Sequence, residues 1–185
     1  MDNKLRCHWV GDDPQMIAYH DDEWGKPLYD EQRLFELLSL EGMQAGLSWK
    51  TVLKKREAFR EAFYGFNITQ VAKMKQRDIE RLMQNAAIIR NRLKIAAVIH
   101  NARCWQALAQ KASVVQAIWQ HVDGKPMIHH CQNSSDVPVS TPESKKLSLW
   151  LGQHGFKFTG DVICYAFMQA SGMVNDHITD CYLYH

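Results

Sequence analysis

Four residues able to bind a metal lie near the two ends of the chain: Cys7 and His20 towards the start, His177 and Cys181 towards the finish. Two thiolates and two imidazoles form a tetrahedral zinc set, and a closed four-ligand site is structural rather than catalytic. His177 and Cys181 are four positions apart, so a helical turn or a tight loop would aim both at one ion. Cys7 and His20 are thirteen apart and need a loop between them. Spacing alone leaves two readings open, a zinc clasp between the termini or four unrelated residues. Under the first, the ion holds the fold together and leaves the chemistry to other side chains.

Two aromatic-rich stretches carry candidates for that chemistry. The first is Trp9 followed by Tyr19-His20-Asp21-Asp22-Glu23-Trp24, and the second is Glu41-Gly42-Met43-Gln44-Ala45-Gly46-Leu47-Ser48-Trp49. Glycines around a carboxylate at a helix–helix junction allow close backbone approach. Trp9, Tyr19, Trp24 and Trp49 as stacking walls, with Glu41 as a charged floor, would suit a flat, electron-poor or cationic ring, at about 0.5–2 kcal/mol per contact. The plainer alternative makes the tryptophans ordinary core anchors. A third stretch, 82–95, reads as two short amphipathic pieces joined by a basic turn. Backbone amides at the following helix start, with Arg90, Arg92 and Lys94 beside them, suit a DNA phosphate. A surface helical hairpin explains the same residues equally well.

The elements that must position these groups are nearly all helical. Asp30 caps a segment in which Leu34, Phe35, Leu37, Leu38 and Met43 recur at helical spacing, and Gly42 is expected to end it. Ser48 caps a helix over 49–63, with Val52, Leu53 and Phe59 inward and Lys54, Lys55 and Arg56 outward. Short helices follow Asn67 and Arg77, and a long one from Arg92 carries Ile95, Val98, Ile99, Ala102 and Trp105 on its apolar stripe. The stretch 123–141 reads as loop. Thr141-Pro142 opens a helix that Gly155 stops, and Asp161 opens a last one that Gly172 ends. Phe156-Lys157-Phe158 is the best strand candidate. The class is all-α, in one domain spanning 1–185.

Composition sets the bounds. A chain of 185 residues, 46% hydrophobic and 23% charged, buries a substantial core. No apolar run reaches membrane-span length, and no apolar region follows Met1-Asp2-Asn3-Lys4 as a secretory signal requires. Five irregularly spaced cysteines argue for a reducing compartment, so a cytoplasmic protein is expected. Net charge is +2, but residues 50–94 hold twelve Lys and Arg against four acids, while 11–31 hold seven acids against Lys26. A basic middle fits a phosphate-binding face or a solvated helix face. Cys104, Cys131 and Cys164 are given no role, and His129-His130-Cys131 lies in a loop without a partner residue.

These pieces together resemble 3-methyladenine DNA glycosylase I, a family of the helix-hairpin-helix superfamily. The resemblance covers nearly the whole chain. Its most specific stretches are Cys7-His8-Trp9-Val10, Tyr19-His20-Asp21-Asp22-Glu23-Trp24-Gly25, Leu40-Glu41-Gly42 with Gln44-Ala45-Gly46-Leu47-Ser48-Trp49, Ile88-Ile89-Arg90 with Lys94-Ile95, Gly155-Phe156-Lys157-Phe158, and Val174-Asn175-Asp176-His177. The resemblance implies one structural zinc ion on Cys7, His20, His177 and Cys181. It also implies a helical fold clasped at its ends, and a base pocket of Glu41, Tyr19, Trp49, Trp9 and Trp24. Met16 stands where an aromatic pocket wall is expected. Relatives in the wider superfamily use a catalytic Asp past the hairpin. Here only Asp123 lies between Lys94 and Asp136, and the resembled family likewise lacks that Asp.

The implied activity is excision of N3-methyladenine from alkylated double-stranded DNA, with free 3-methyladenine and an abasic site as products. Glu41 and Tyr19 would be catalytic. A side chain of the 44–47 turn, Gln44 or Leu47, would fill the gap left by the extruded base, and Arg90, Arg92, Lys94 and Lys157 would face DNA. No amine near the pocket offers Schiff-base chemistry, so a monofunctional enzyme acting as a monomer is expected. One rival is a DNA- or base-binding homologue without turnover, towards which Met16 leans. The other is a zinc hydrolase using His20, Asp21, Asp22 and Glu23, against which four ligands with no open position argue.

Overall fold

Side-chain caps mark where this chain turns into helix. The structure, a computed structural model, describes residues 4–184, and the part of the leader reading at 1–3 lies outside them. Asp13 accepts from the backbone N–H groups of Gln15 and Met16 and is followed by Pro14, opening α1 (Pro14–Asp22). Asp30 accepts from Arg33 N at 2.8 Å to open α2 (Glu31–Gln44), and Ser48 accepts from Thr51 N to open α3 (Trp49–Leu53). There follow α4 (Arg56–Ala62), α5 (Ile68–Ala72) behind Asn67, and α6 (Gln76–Met83). Asn91 caps α7 (Arg92–Ala109), Ser113 caps α8 (Val114–Trp119), and Thr141 caps α9 (Pro142–Gln153); α10 (Asp161–Ala170) completes the set.

Most of these match the sequence expectations, and the departures have local causes. α2 runs through Gly42 to Gln44 because every residue from 34 to 43 is buried. A mid-helix glycine costs about 1 kcal/mol, little against packing on all sides. The expected helix 49–63 is two helices. Lys55 breaks it at φ −104°, ψ 3°, and its ammonium reaches Ala86 O and Ala87 O at 3.3 and 2.9 Å. α6 begins ahead of Arg77, with Asp78 accepting from Lys75 N. α1 and α8 stand where no helix was expected.

Phe156-Lys157-Phe158 is not a strand. Asn101 of α7 clasps it, donating to Lys157 O at 2.9 Å and accepting from Lys157 N at 2.8 Å, and Phe158 adopts φ 55°. The strands of the described residues are two-residue pieces instead: β1 (Met127–Ile128), inside the expected loop, pairs in parallel with β2 (Val174–Asn175).

α2, α7 and α10 make the larger core, where Phe35, Trp105 and Phe167 are fully buried. A smaller apolar cluster gathers the chain ends, with Cys7, Val10, Met16, Tyr19, Trp24, Ile178 and Cys181. Trp49 and Val137 touch both clusters. Among the described residues no helix is long and apolar enough to cross a membrane.

Candidate active site and metal centre

Between the two clusters opens a cleft of about 730 Å³. It is walled by Trp9, Met16, Tyr19, Trp24 and Trp49, with Glu41 at its floor. α1 supplies Met16 and Tyr19, α2 supplies Glu41 from its last turn, and α3 supplies Trp49 at its first position. Arg56 ties these helices together from behind, donating to Glu23 Oε1 and Glu36 Oε1 at 2.7 Å each. The rings meet at angles: Tyr19 and Trp49 lie 5.1 Å apart between centroids, and Trp9 and Trp24 lie 5.0 Å apart, edge to face. Such tilted contacts fix ring orientation.

Glu41 is 4% exposed, and among the described residues no donor reaches its carboxyl group. Burial alone pushes its pKa from 4.5 up to about 8. Trp49, which lines the same cleft, has a buried Nε1 donor with no acceptor. A native protein pairs nearly all of its buried polar groups, so an unpartnered acceptor and donor in one cleft point to a ligand offering the converse pair. Tyr19 stays protonated: burial first, and then the Glu41 carboxylate, raise its pKa well above the usual phenol value.

Met16 is 7% exposed and fills the wall where an aromatic was expected. Gln44 lines the cleft, while Leu47, three residues on, is 41% exposed. Gly46, at φ +78°, permits the turn between them.

The sequence reading passed over two parts of this cleft. Lys50 lines it, correcting the expectation that no amine lies near; its ammonium pairs with Asp13 Oδ2 at 2.9 Å. At the opposite end Tyr165, Gln169 and Asp176 form a polar wall. Asp176 is 1% exposed and accepts from Tyr165 OH and Gln169 Nε2 at 2.6 Å each and from His129 Nδ1 at 2.7 Å. This answers the missing partner of the His129 loop: His129 is held by Asp176, and His130 pairs with Tyr184 OH. Asp176 belongs to the stretch 174–177, but a buried acid gives no sign in sequence of which donors surround it.

The basic residues part company. Arg90 and Lys157 are exposed, as is Arg92 at the start of α7. Lys94 is not with them; it is buried, and its ammonium donates to Met43 O and Ala45 O. The expected phosphate contact from Lys94 is therefore replaced by a cap on the end of α2.

The four end-of-chain residues converge. One ligand atom from each of Cys7, His20, His177 and Cys181 lies within 4.8 Å of the other three, and all four residues are buried. Both imidazoles are aimed. His20 Nδ1 meets Asp21 Oδ1 at 2.8 Å, leaving Nε2 facing Cys181 Sγ at 3.5 Å. His177 Nε2 meets Trp24 O at 3.2 Å, leaving Nδ1 towards the sulfurs of Cys7 and Cys181 at 3.6 and 3.4 Å. Arg6 grips Asp21 through Nη2 at 2.7 Å and holds its carboxyl well below the usual range. Burial pushes the Cys7 thiol up to about 12, so a thiolate there calls for a cation beside it. Two soft sulfurs, two oriented imidazoles and carboxylate or carbonyl partners behind them fit a closed zinc site.

Comparison with known proteins identifies the family. Residues 9–185 match the family model described as methyladenine glycosylase. Over 180 residues the chain is 50% identical to DNA-3-methyladenine glycosylase 1 of Escherichia coli (strain K12), covering 97% of this chain and 96% of that one. A crystal structure of 3-methyladenine DNA glycosylase I superposes with a TM-score of 0.96 at 52% identity, covering 98% of this chain and all of that one. The Staphylococcus aureus enzyme, solved for the structural basis of 3-methyladenine recognition, superposes at 0.94 with 40% identity, covering 97% and 96% of the two chains. With the family model spanning nearly its whole length, the chain belongs to the methyladenine glycosylase family.

Proposed function

We propose that this protein excises 3-methyladenine from alkylated DNA, hydrolysing the N-glycosidic bond and leaving an abasic site. The observation that carries the reading is a pair of groups on two residues that line one aromatic cleft, the Glu41 carboxyl that no donor meets among the described residues and the Trp49 indole N–H that has no acceptor. An adenine edge offers an amine donor and ring-nitrogen acceptors, the complement of that pair.

N3-methylated adenine in DNA is cationic, so its glycosidic bond is already weakened. Glu41 favours the cation and accepts from the exocyclic amine; a guanine carbonyl would face it acceptor to acceptor. Tyr19 and Trp49 hold the ring. Water adds to the sugar carbon as the C–N bond breaks, the water's surplus proton passes to solvent, and the base departs neutral. Lys50 does not compete as a nucleophile, because its Nζ is held by Asp13 Oδ2 at 2.9 Å. The enzyme is thus monofunctional, and borohydride trapping of a protein–DNA adduct would overturn that.

The base is reached by extrusion from duplex DNA, which costs a few kcal/mol. Gln44 or Leu47 fills the vacated stack, with Arg90, Arg92 and Lys157 on phosphates and the 84–91 turn acting as the hairpin of a helix-hairpin-helix module. One zinc ion on Cys7, His20, His177 and Cys181 holds the chain ends together beside the cleft and takes no part in the reaction. The chain acts as a monomer.

Base release from methylated duplex DNA, resolved by chromatography, tests the reading. Free 3-methyladenine in excess over 7-methylguanine supports it. No release from folded, zinc-loaded protein would leave a base-binding homologue with an altered wall at Met16.

A further inference from the structure

Lys94 is the third residue of α7, immediately after the basic 84–91 turn, yet it is only 7% exposed. Its Nζ donates to Met43 O at 2.9 Å and to Ala45 O at 2.5 Å. Met43 O belongs to the last turn of α2, where carbonyls have no intrahelical donor, and Ala45 O lies just beyond it. A buried ammonium there also meets the negative end of the helix dipole. The Lys94 backbone N–H is in turn capped by Asn91 Oδ1 at 3.1 Å. One residue therefore joins the start of α7, with its DNA-facing turn, to the segment that leads into Gly46 and the exposed Leu47.

We infer that Lys94 is a positioning residue for base extrusion, locking the 44–47 turn to the DNA-anchoring 84–91 turn through the end of α2. Phosphate anchorage and filling of the vacated stack then act as one body. This rests on the proposed function, in which the 44–47 turn enters the duplex. Glu41 lies four residues upstream of Ala45, and the aromatic walls Tyr19 and Trp49 come from α1 and α3, which Lys94 does not touch, so Lys94 governs extrusion and not base recognition.

The test compares wild type with Lys94→Met, which keeps the stem and removes the donors. Three quantities are read: affinity for free 3-methyladenine by calorimetry, and excision from methylated single-stranded and duplex DNA. The expected result is free-base affinity and single-strand excision within about twofold of wild type, with duplex excision down about tenfold, since only the duplex demands extrusion. A direct phosphate contact would instead lower excision from both DNAs and flatten the salt dependence of binding by about one unit of slope. Equal losses on both substrates, or none on either, overturn the inference. Lys94→Arg keeps the charge but presents a planar fork to two carbonyls spaced for an ammonium. It is expected to show the same duplex-selective deficit in smaller measure, and it carries the test should the methionine variant fail to fold. A wild type that releases no base from either DNA strikes the proposed function, whereas a flat duplex-to-single-strand ratio in the variants strikes only the role of Lys94.

Discussion

Replacing Glu41 with glutamine should make the protein more stable and a poorer binder of its base. The folded-state pKa of about 8 lies above the usual 4.5, so between those values the native state holds a proton that the unfolded chain has released. Stability is fully present below pH 4.5 and is lost as pH rises through the window, because the buried group must either keep its proton or ionise in an apolar surround. Glutamine has nearly the same shape and no such liability. The stability difference between variant and wild type should be small at pH 5 and grow in favour of glutamine by about 3 kcal/mol between pH 5 and pH 8. Taking the difference cancels every other titrating group, the metal ligands included. Urea unfolding of both proteins at pH 5, 6, 7 and 8 reads it directly. In the pH 8 samples, where Glu41 is giving up its proton, free 3-methyladenine should bind the variant at least about tenfold more weakly, since a charge-assisted hydrogen bond has gone. A pH-independent difference, or a variant that is less stable at pH 8 than at pH 5 relative to wild type, would refute the idea that burial of an ionisable acid strains this cleft.

Trp49→Phe removes the orphan indole N–H; calorimetry should show about fivefold weaker base binding, and unchanged affinity would mean the N–H faces no ligand. Asp21→Asn withdraws the carboxylate that aims His20, and zinc affinity measured by chelator competition should fall about 10- to 100-fold; retention of wild-type affinity counts against the orienting role. Gly172→Ala would place a methyl group 2.1 Å from the carbonyl carbon of Lys26 at φ +67°, and should cost about 2–3 kcal/mol. A melting temperature equal to wild type would show that the Lys26–Pro27 backbone yields freely.

What could be read from sequence follows how local each signal is. Asp30, Ser48, Asn67 and Thr141 announce helices because a cap acts on the backbone two or three residues ahead. Asp13-Pro14 is the same kind of signal for α1, and Ser113 for α8. The walls of the cleft were legible as a cluster of aromatics around one acid. What escaped is non-local. Lys55, at the break between α3 and α4, bonds a carbonyl 31 residues away, and Asn101 turns an expected strand into a clasp 56 residues away. Lys94 looks like any basic residue beside a turn until the end of α2, 51 residues upstream, is placed against it. A spacing rule sees none of these.

The meeting of the chain ends gives the molecule the connectivity of a ring. Tyr182 N donates to Leu5 O at 2.9 Å, the Lys4 ammonium and the Arg6 guanidinium lie over the Tyr182 ring, and Cys7 faces His177 across 170 positions. Closing a loop of that length costs about 4–5 kcal/mol of chain entropy, and the figure hardly changes whether 150 or 200 residues are enclosed. That cost falls mainly on whichever contact closes first, and the others then form almost free of it. Fraying, ordinarily the independent habit of each terminus, becomes a single shared event in this chain: neither end can peel away without reopening the whole circle.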